Sequence, residues 1–283
     1  MAMILEKRPL TPVTKLYRVD APLIAKKAQP GQFVIVRVRE DGERIPLTIA
    51  DYDREEGTLT IVVQEVGTTT RQFGQLEVGE EILDLVGPLG MPLEIPVDGH
   101  IVGIGGGFGA AALLCLMREL RARGDKTTMM IGARETELLI LIDELTDVCD
   151  NLELCTDDGS AGFKGFVTGR LQELIDGDGP GRPDSVVAIG PMPMMRAVSE
   201  VTAKADIATL VSLDPLMIDG TGMCGGCRVT VNNEVKFACV DGPFFDAHQV
   251  DFEEAGRRNK MYVKQEQESK DRTDCRKLAE GQV

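Results

Sequence analysis

The apolar pattern of this chain changes period at about Gly99, and that change requires two architectures in one polypeptide. Before it, short apolar runs such as Gln32–Arg39, Thr58–Val63 and Glu81–Val86 are separated by Pro30-Gly31, Asp41-Gly42, Gly57 and Gly79. Short strands with regular turn signals predict an antiparallel barrel or sandwich. After it, strand-like runs at Ile101–Ile104, Thr127–Ile131, Leu152–Leu154, Val186–Ile189 and Thr209–Val211 alternate with helical stretches. Those stretches run through Arg123, near Leu138–Val148 and near Pro193–Ala205. That alternation predicts a doubly wound parallel sheet. The expected organisation is an α/β plus β chain: a β-barrel over 1–97, an α/β nucleotide-binding domain over 98–211, a small cysteine-bearing segment over 212–250 and a charged tail over 251–283. The tail is expected to be helical, lying on a partner or in solvent.

Two turns in the second region carry nucleotide-binding signals. Gly105-Gly106-Gly107-Phe108-Gly109-Ala110 joins an apolar strand to an apolar helix, where bare glycines let a pyrophosphate approach backbone N–H groups. Ala188-Ile189-Gly190-Pro191-Met192 is a second strand ending at a helix mouth; taken singly, it reads more simply as a turn with methionines in the core. Ligands of such sheets bind beyond the carboxyl ends of the strands, where both turns are expected to lie. Asp125 has the sequence distance of a ribose-binding acid but precedes its strand, so it reads as a turn residue. In the first region, Arg44-Ile45-Pro46-Leu47-Thr48 and Gly67-Thr68-Thr69-Thr70 offer a cation with backbone and hydroxyl donors suited to a flavin pyrophosphate. For Arg44 alone, a solvated strand-end charge is the simpler reading.

The segment from Asp219 to Cys239 points to an inorganic cluster. Asp219-Gly-Thr-Gly-Met-Cys224-Gly-Gly-Cys227, followed by Cys239, keeps the Cys-x4-Cys-x2-Cys…Cys spacing of plant-type [2Fe-2S] sites, with an aspartate in the first position. The candidate ligands are therefore Asp219, Cys224, Cys227 and Cys239. Arg228–Val231 and Val235–Cys239 alternate like strands, and a three-residue loop centred on Asn233 would set Cys227 opposite Cys239. Zinc is the competing metal, since Cys-x2-Cys is also a zinc knuckle; a fourth soft ligand would have to be His248 or Cys275. Asp219 can also be read as a turn-forming residue before Gly220.

A net charge of −15 argues against nucleic acid or an anionic membrane as partner. The N-terminus shows no signal-peptide core, and the Ile101–Met117 run is too short and too rich in glycine for a membrane span. A cytoplasmic protein is expected. Seven cysteines, three of them in the cluster motif, argue against a disulfide framework, and Cys115, Cys149 and Cys155 read as small buried hydrophobes. His100 and His248 are the two histidines, and neither belongs to a catalytic arrangement.

Taken together, Arg-x-Pro-Leu-Thr, Gly87-Pro88-Leu89-Gly90, the glycine turn, Gly-Pro-x-x-Met-Met and the cysteine segment resemble the ferredoxin reductase superfamily. Their order is similar to that of dihydroorotate dehydrogenase electron-transfer subunits. Asp219-Gly-Thr-Gly-Met-Cys-Gly-Gly-Cys-Arg-Val-Thr-Val and Lys236-Phe-Ala-Cys-Val-Asp-Gly-Pro resemble most the small subunits of NADH-dependent ferredoxin:NADP oxidoreductases, known also as sulfide dehydrogenases. The resemblance covers residues 1 to about 255. It implies FAD on the barrel, held by Arg44, Pro46, Leu47, Thr48, Val62, Val63 and Gly67, Thr68, Thr69 and Thr70. It implies NAD(H) at Gly105, Gly106, Gly107, Gly109, Ala110, Arg134, Asp158, Gly159, Gly190, Pro191 and Met192. It further implies a [2Fe-2S] cluster on Asp219, Cys224, Cys227 and Cys239, facing a large flavin and iron–sulfur subunit. That large subunit would deal with ferredoxin and NADP(H) by electron bifurcation. Ala111-Ala112 departs from the Ala-Pro or Ala-Glu of many relatives.

Overall fold

The computed structural model describes residues 2–279, with side chains as far as Arg272. The first region contains strands β1 (Ala2–Thr11), β2 (Thr14–Asp20), β3 (Phe33–Arg37), β4 (Ile45–Asp53), β5 (Thr58–Gln64), β6 (Glu81–Ile82) and β7 (Asp84–Leu89), with short helices α1 (Pro22–Ala25) and α2 (Thr68–Phe73). Its sheet order is β6-β1-β2-β5-β4-β3-β7, antiparallel throughout. The two edge strands, β6 and β7, are separated in sequence by Leu83 alone. The sheet must therefore curl until its edges nearly meet, which removes most of its unpaired edge. Inside, Ile4, Tyr17, Val34, Ile49, Ile61, Phe73 and Ile82 are fully buried, and the Tyr17 hydroxyl donates to the Phe73 carbonyl at 3.3 Å. Sequence periodicity alone left β1, β2 and β4 unassigned, because their charged outward residues and Pro9 and Pro46 break the apolar alternation.

The second region contains β8 (His100–Gly106), a 3-10 turn (Gly107–Leu113), α3 (Leu114–Arg123), β9 (Lys126–Ala133), α4 (Ile142–Val148), β10 (Asn151–Thr156), β11 (Phe163–Lys164), α5 (Val167–Ile175), β12 (Ser185–Ile189), α6 (Met192–Lys204) and β13 (Ala208–Ser212). The order β11-β10-β9-β8-β12-β13 is parallel, with the topological switch between β8 and β12. Strand β8 is buried along its whole length, as a central parallel strand covered on both faces must be. Cys115, Cys149 and Cys155 are buried. No helix among the described residues is long and apolar enough to cross a membrane.

The chain then forms the hairpin β14 (Arg228–Val231) and β15 (Glu234–Phe237), strand β16 (Phe244–Asp246), and helices α7 (Phe252–Asn259) and α8 (Val263–Ala279). The expected three-residue hairpin loop is in fact a two-residue turn. Asn232 and Asn233 both have positive φ, 52° and 60°, and Glu234 pairs with Val231. Adjacent left-handed residues match the strand twist, and asparagine tolerates them. The cysteine-bearing segment also contributes beyond the cluster loop: β16 adds an antiparallel edge strand to the large sheet beside β13. Nor is the charged tail wholly separate, since α7 packs back onto the protein with Ala255 buried.

His100 opens β8 as a buried, neutral imidazole. Its Nδ1 meets the Arg182 carbonyl at 3.1 Å and its Nε2 meets the Thr128 hydroxyl at 2.8 Å. A carbonyl only accepts, so Nδ1 carries the proton and Nε2 accepts from Thr128. Burial lowers the pKa below its ordinary 6.5. The unfolded chain therefore binds this proton more readily, and stability is retained above pH 6.5 but falls as the pH drops from there toward the folded value. The expected slope reaches at most about 1.4 kcal/mol per pH unit. Denaturant midpoints across that window should show it in the native chain and not in His100→Gln.

Candidate functional site

A cleft of about 560 Å³ lies between the barrel and the parallel sheet. This is within the range of small-molecule sites, roughly 300–1,000 Å³. One wall is Ile45, Pro46, Leu47 and Thr48 of β4 with Val62 and Gln64 of β5, and the other is the turn after β8 with the start of α6. The floor comes from Ser212, Leu213, Asp214 and Met217, with Pro243 and Asn259. The cleft thus sits at the β8/β12 switch point, beyond the carboxyl ends of the strands. Two turns can meet there because Gly109 lacks a side chain: a Cβ would lie 2.5 Å from the Ile189 carbonyl oxygen. The bare backbone and apolar walls suit a flat ring system with a pyrophosphate, so the residues present fit FAD and a nicotinamide nucleotide.

The cleft gathers many of the expected cofactor residues and leaves others aside. Pro46, Leu47, Thr48, Val62, Thr70, Gly106, Gly107, Gly109, Gly190, Pro191 and Met192 line it. Thr68 and Thr69 line a second cavity of about 450 Å³, closed on one side by α8, where the Thr68 and Ser269 hydroxyls are 3.2 Å apart. Gly67 caps α2, its N–H donating to the Thr70 hydroxyl at 2.9 Å. Val63 points into the barrel core and Arg44 is exposed outside the cleft lining. Gly105 and Ala110 are buried behind the turn. Arg134, Asp158 and Gly159 lie together past the ends of β9 and β10, where the Asp158 N–H donates to the Arg134 carbonyl at 3.3 Å. Hydrogen bonds from the Ser160 side chain and backbone hold the Asp158 carboxyl below its ordinary range. Sequence reasoning missed Phe108, Ser212, Leu213, Asp214, Met217, Pro243 and Asn259. Asn259 in particular falls in a charge-rich stretch with no motif around it.

The cluster loop forms where the sheet and the hairpin meet. Asp219 sits at the head of the loop, and its carboxylate accepts from the N–H groups of Thr221 (3.2 Å), Met223 (3.0 Å) and Cys224 (3.1 Å) and from the Thr221 hydroxyl (3.1 Å). Burial raises its pKa, but these hydrogen bonds outweigh it and hold the carboxyl down at about 2. The Cys224 thiol lies 3.3 Å from the same carboxylate. After β15, Val240 and Asp241 both donate N–H bonds to the Phe237 carbonyl, a tight turn that brings the Cys239 sulfur 3.2 Å from that of Cys227.

The pairing discriminates between metals. Among the described residues, no three or more His, Cys, Asp or Glu side chains converge on one point as a mononuclear ion needs. The candidate ligands instead lie as two pairs, Asp219 with Cys224 and Cys227 with Cys239. A two-iron cluster wants that arrangement, one pair for each iron, so the residues fit a [2Fe-2S] group better than zinc. His248 is held elsewhere, its Nε2 3.0 Å from the Thr202 hydroxyl, and Cys275 lies beyond the residues whose side chains are described.

Comparison with known proteins agrees with this geometry. Residues 214–251 match the iron-sulfur cluster binding domain of dihydroorotate dehydrogenase B. A Thermotoga maritima protein, a homologue of the electron transfer subunit of dihydroorotate dehydrogenase B (NAD(+)), is 44% identical over 90% of this chain and 89% of its own length. The electron transfer subunit from Desulforamulus reducens is 33% identical over 89% of this chain and 98% of its own. A solved structure of an NADH-dependent reduced ferredoxin-NADP oxidoreductase, described for flavin-based electron bifurcation, superposes with a TM-score of 0.90. It is 41% identical, covering 96% of this chain and 98% of the other. Phthalate dioxygenase reductase shares the fold at a TM-score of 0.58 and 18% identity, over 81% of this chain and 85% of its own. A nearly closed antiparallel barrel, a parallel switch-point sheet and a paired-ligand cluster loop, together with these identities, show that the chain belongs to the family of dihydroorotate dehydrogenase B electron-transfer subunits and their homologues.

Proposed function

We propose that this chain is the electron-transfer subunit of an NADH-dependent ferredoxin:NADP oxidoreductase in the cytoplasm. In this reading NAD(H) exchanges a hydride with FAD in the cleft. Single electrons then pass through a [2Fe-2S] cluster to or from a large flavin and iron–sulfur subunit, which meets ferredoxin and NADP(H). The observation that carries it is the Asp219–Cys224 and Cys227–Cys239 pairing in the segment that follows the cleft-lining residues Ser212, Leu213, Asp214 and Met217. Pro46, Leu47, Thr48, Val62 and Thr70 would hold the flavin side, and Gly106, Gly107, Gly109, Gly190, Pro191 and Met192 the nicotinamide side. Arg134, Asp158 and Gly159 would meet the adenosine end. A bound flavin supplies the conversion between two-electron and one-electron transfer, and the protein supplies position and tuning. Around the cluster loop, Met223, Leu216, Ile218 and Val240 are exposed, an apolar surface suited to docking the large subunit.

The carboxylate in the first ligand position favours this assignment over an electron-transfer subunit serving a dihydroorotate-oxidising partner, a group that resembles the all-cysteine pattern. The purified chain should carry FAD, with iron and acid-labile sulfide in equal amounts. NADH should bleach the flavin at lower concentration than NADPH does. A colourless protein holding zinc would overturn the reading, and co-purification with a dihydroorotate-oxidising subunit would redirect it to the second assignment.

A further inference from the structure

Tracking the proton through the proposed reaction leads to a residue that no motif marks. A hydride carries two electrons and one proton, whereas an iron–sulfur cluster takes electrons singly and alone. When both electrons of a hydride leave by that route, one proton stays behind in the cleft and needs an acceptor. Among the described residues lining the cleft, Asp214 is the single ionisable side chain. Strands β4 and β5, the glycine turn and the start of α6 present uncharged groups there. From α7 comes Asn259, a neutral amide on the same lining, whose side chain works against the rise in the Asp214 pKa. The neighbouring charge on α7, Arg258, is directed at the cluster loop, its Nη2 donating to the Gly226 carbonyl at 3.3 Å.

We propose that Asp214, positioned by Asn259, is the proton acceptor of this cleft. With the cofactors bound, NADH would pass a hydride to the flavin and leave as NAD+, and the two electrons would then leave the flavin one at a time by way of the cluster. The remaining proton goes to the Asp214 carboxylate, which becomes the carboxylic acid. Asp214 is solvent-accessible and can return the proton to water; in reverse it supplies the proton. The surroundings agree: desolvation raises the pKa of this carboxyl, opposed by its own N–H and by Asn259, so it holds a proton more readily than an open carboxylate. The loop from Ser212 to Asp219 then links the proton acceptor in sequence to the head of the cluster loop, and α7 reaches that loop at the Gly226 carbonyl through Arg258, the neighbour of Asn259.

This proposal rests on the functional reading above, and the test separates the two. The full chain loaded with FAD and cluster is mixed anaerobically with NADH and excess cytochrome c, so that both electrons leave. In Asp214→Asn, cytochrome c reduction is expected to slow about 100-fold relative to flavin bleaching, the scale of a lost general base. Asp214→Glu should restore most of it. The flavin midpoint potential, followed against pH, should show an inflection in the native chain that Asp214→Asn removes. Asn259→Ala should move that inflection upward, because the lost amide held the carboxyl down. FAD bound normally in Asp214→Asn, with an unchanged rate ratio and an unchanged pH profile, would overturn this proposal alone. A native chain that binds no FAD would overturn it together with the function it rests on.

Discussion

Asp219→Ala is expected to strip the chain of its iron and sulfide while leaving FAD in place. Two losses combine in that variant. The cluster would lose one of its four proposed ligands, and the N–H groups of Thr221, Met223 and Cys224 lose the carboxylate that gathers them. Each unmade hydrogen bond costs about 1 kcal/mol before any metal is considered, so the loop loosens as well. Asp219→Asn separates the two losses, because its amide oxygen still accepts from the loop but carries no charge for iron; it should keep the loop and hold the cluster poorly. Asp219→Cys should retain the cluster with a shifted midpoint potential, since terminal ligand type and hydrogen bonding both set it. Cys275→Ser should change nothing. Iron and sulfide content, the visible spectrum and a redox titration check all four variants. An intact cluster in Asp219→Ala together with its loss in Cys275→Ser would assign the fourth ligand to Cys275.

Gly109→Ala is expected to damage both the fold and the nucleotide site. Its new Cβ would lie 2.5 Å from the Ile189 carbonyl oxygen and 3.3 Å from the Gly190 Cα, and both are backbone atoms that cannot rotate away. The turns after β8 and β12 must separate at the switch point, an overpacking cost of about 1–3 kcal/mol. Separation also widens the cleft that the two turns form, so the dissociation constant for NADH should rise roughly tenfold or more, equivalent to about 1.4 kcal/mol. Gly107→Ala is the matched control. Its Cβ meets nothing within 4 Å, but φ is +57°, so the cost is backbone strain of about 1–2 kcal/mol with the cleft width kept. Denaturant midpoints and NADH binding in the two variants distinguish steric separation from strain. Equal NADH affinity in both would show that the close approach of the turns does not shape the site.

Most of the architecture was legible where apolar periodicity is strong. Strands β8, β9, β12 and β13 are short apolar runs bounded by turn residues, and α6 follows its Gly-Pro signal, so each was placed within a few residues. The barrel was less readable. β4 was met as a motif, Arg44-Ile45-Pro46-Leu47-Thr48, and not as a strand, because a strand lining a cofactor cleft on one face loses the alternation that marks a half-buried one. α5 went unseen because no motif drew attention to it, although its amphipathic face buries Val167, Leu171 and Leu174. The cofactor residues divided in the same way. Residues borne by turns, such as Gly109 and Pro191, reached the cleft. Arg44, the cation of its motif, precedes β4 and is exposed outside the lining, and Val63 turns into the barrel core because the strand pleat sends it to the face opposite Val62.

What the amino-acid sequence determined by itself was the change from barrel to parallel sheet, the two glycine-bearing turns and the ligand spacing from Asp219 to Cys239. All of these depend on local chemistry: hydrophobic period, backbone freedom and the reach of a loop around a cluster. Only the tertiary structure decided that the candidate ligands associate as two pairs, and that β16 belongs to the large sheet. It alone also folded α7 back to set Asn259 against Asp214 in the cleft. Those outcomes depend on contacts between segments far apart in sequence, and side chains that meet only after the sheet has formed leave no periodic trace along the chain.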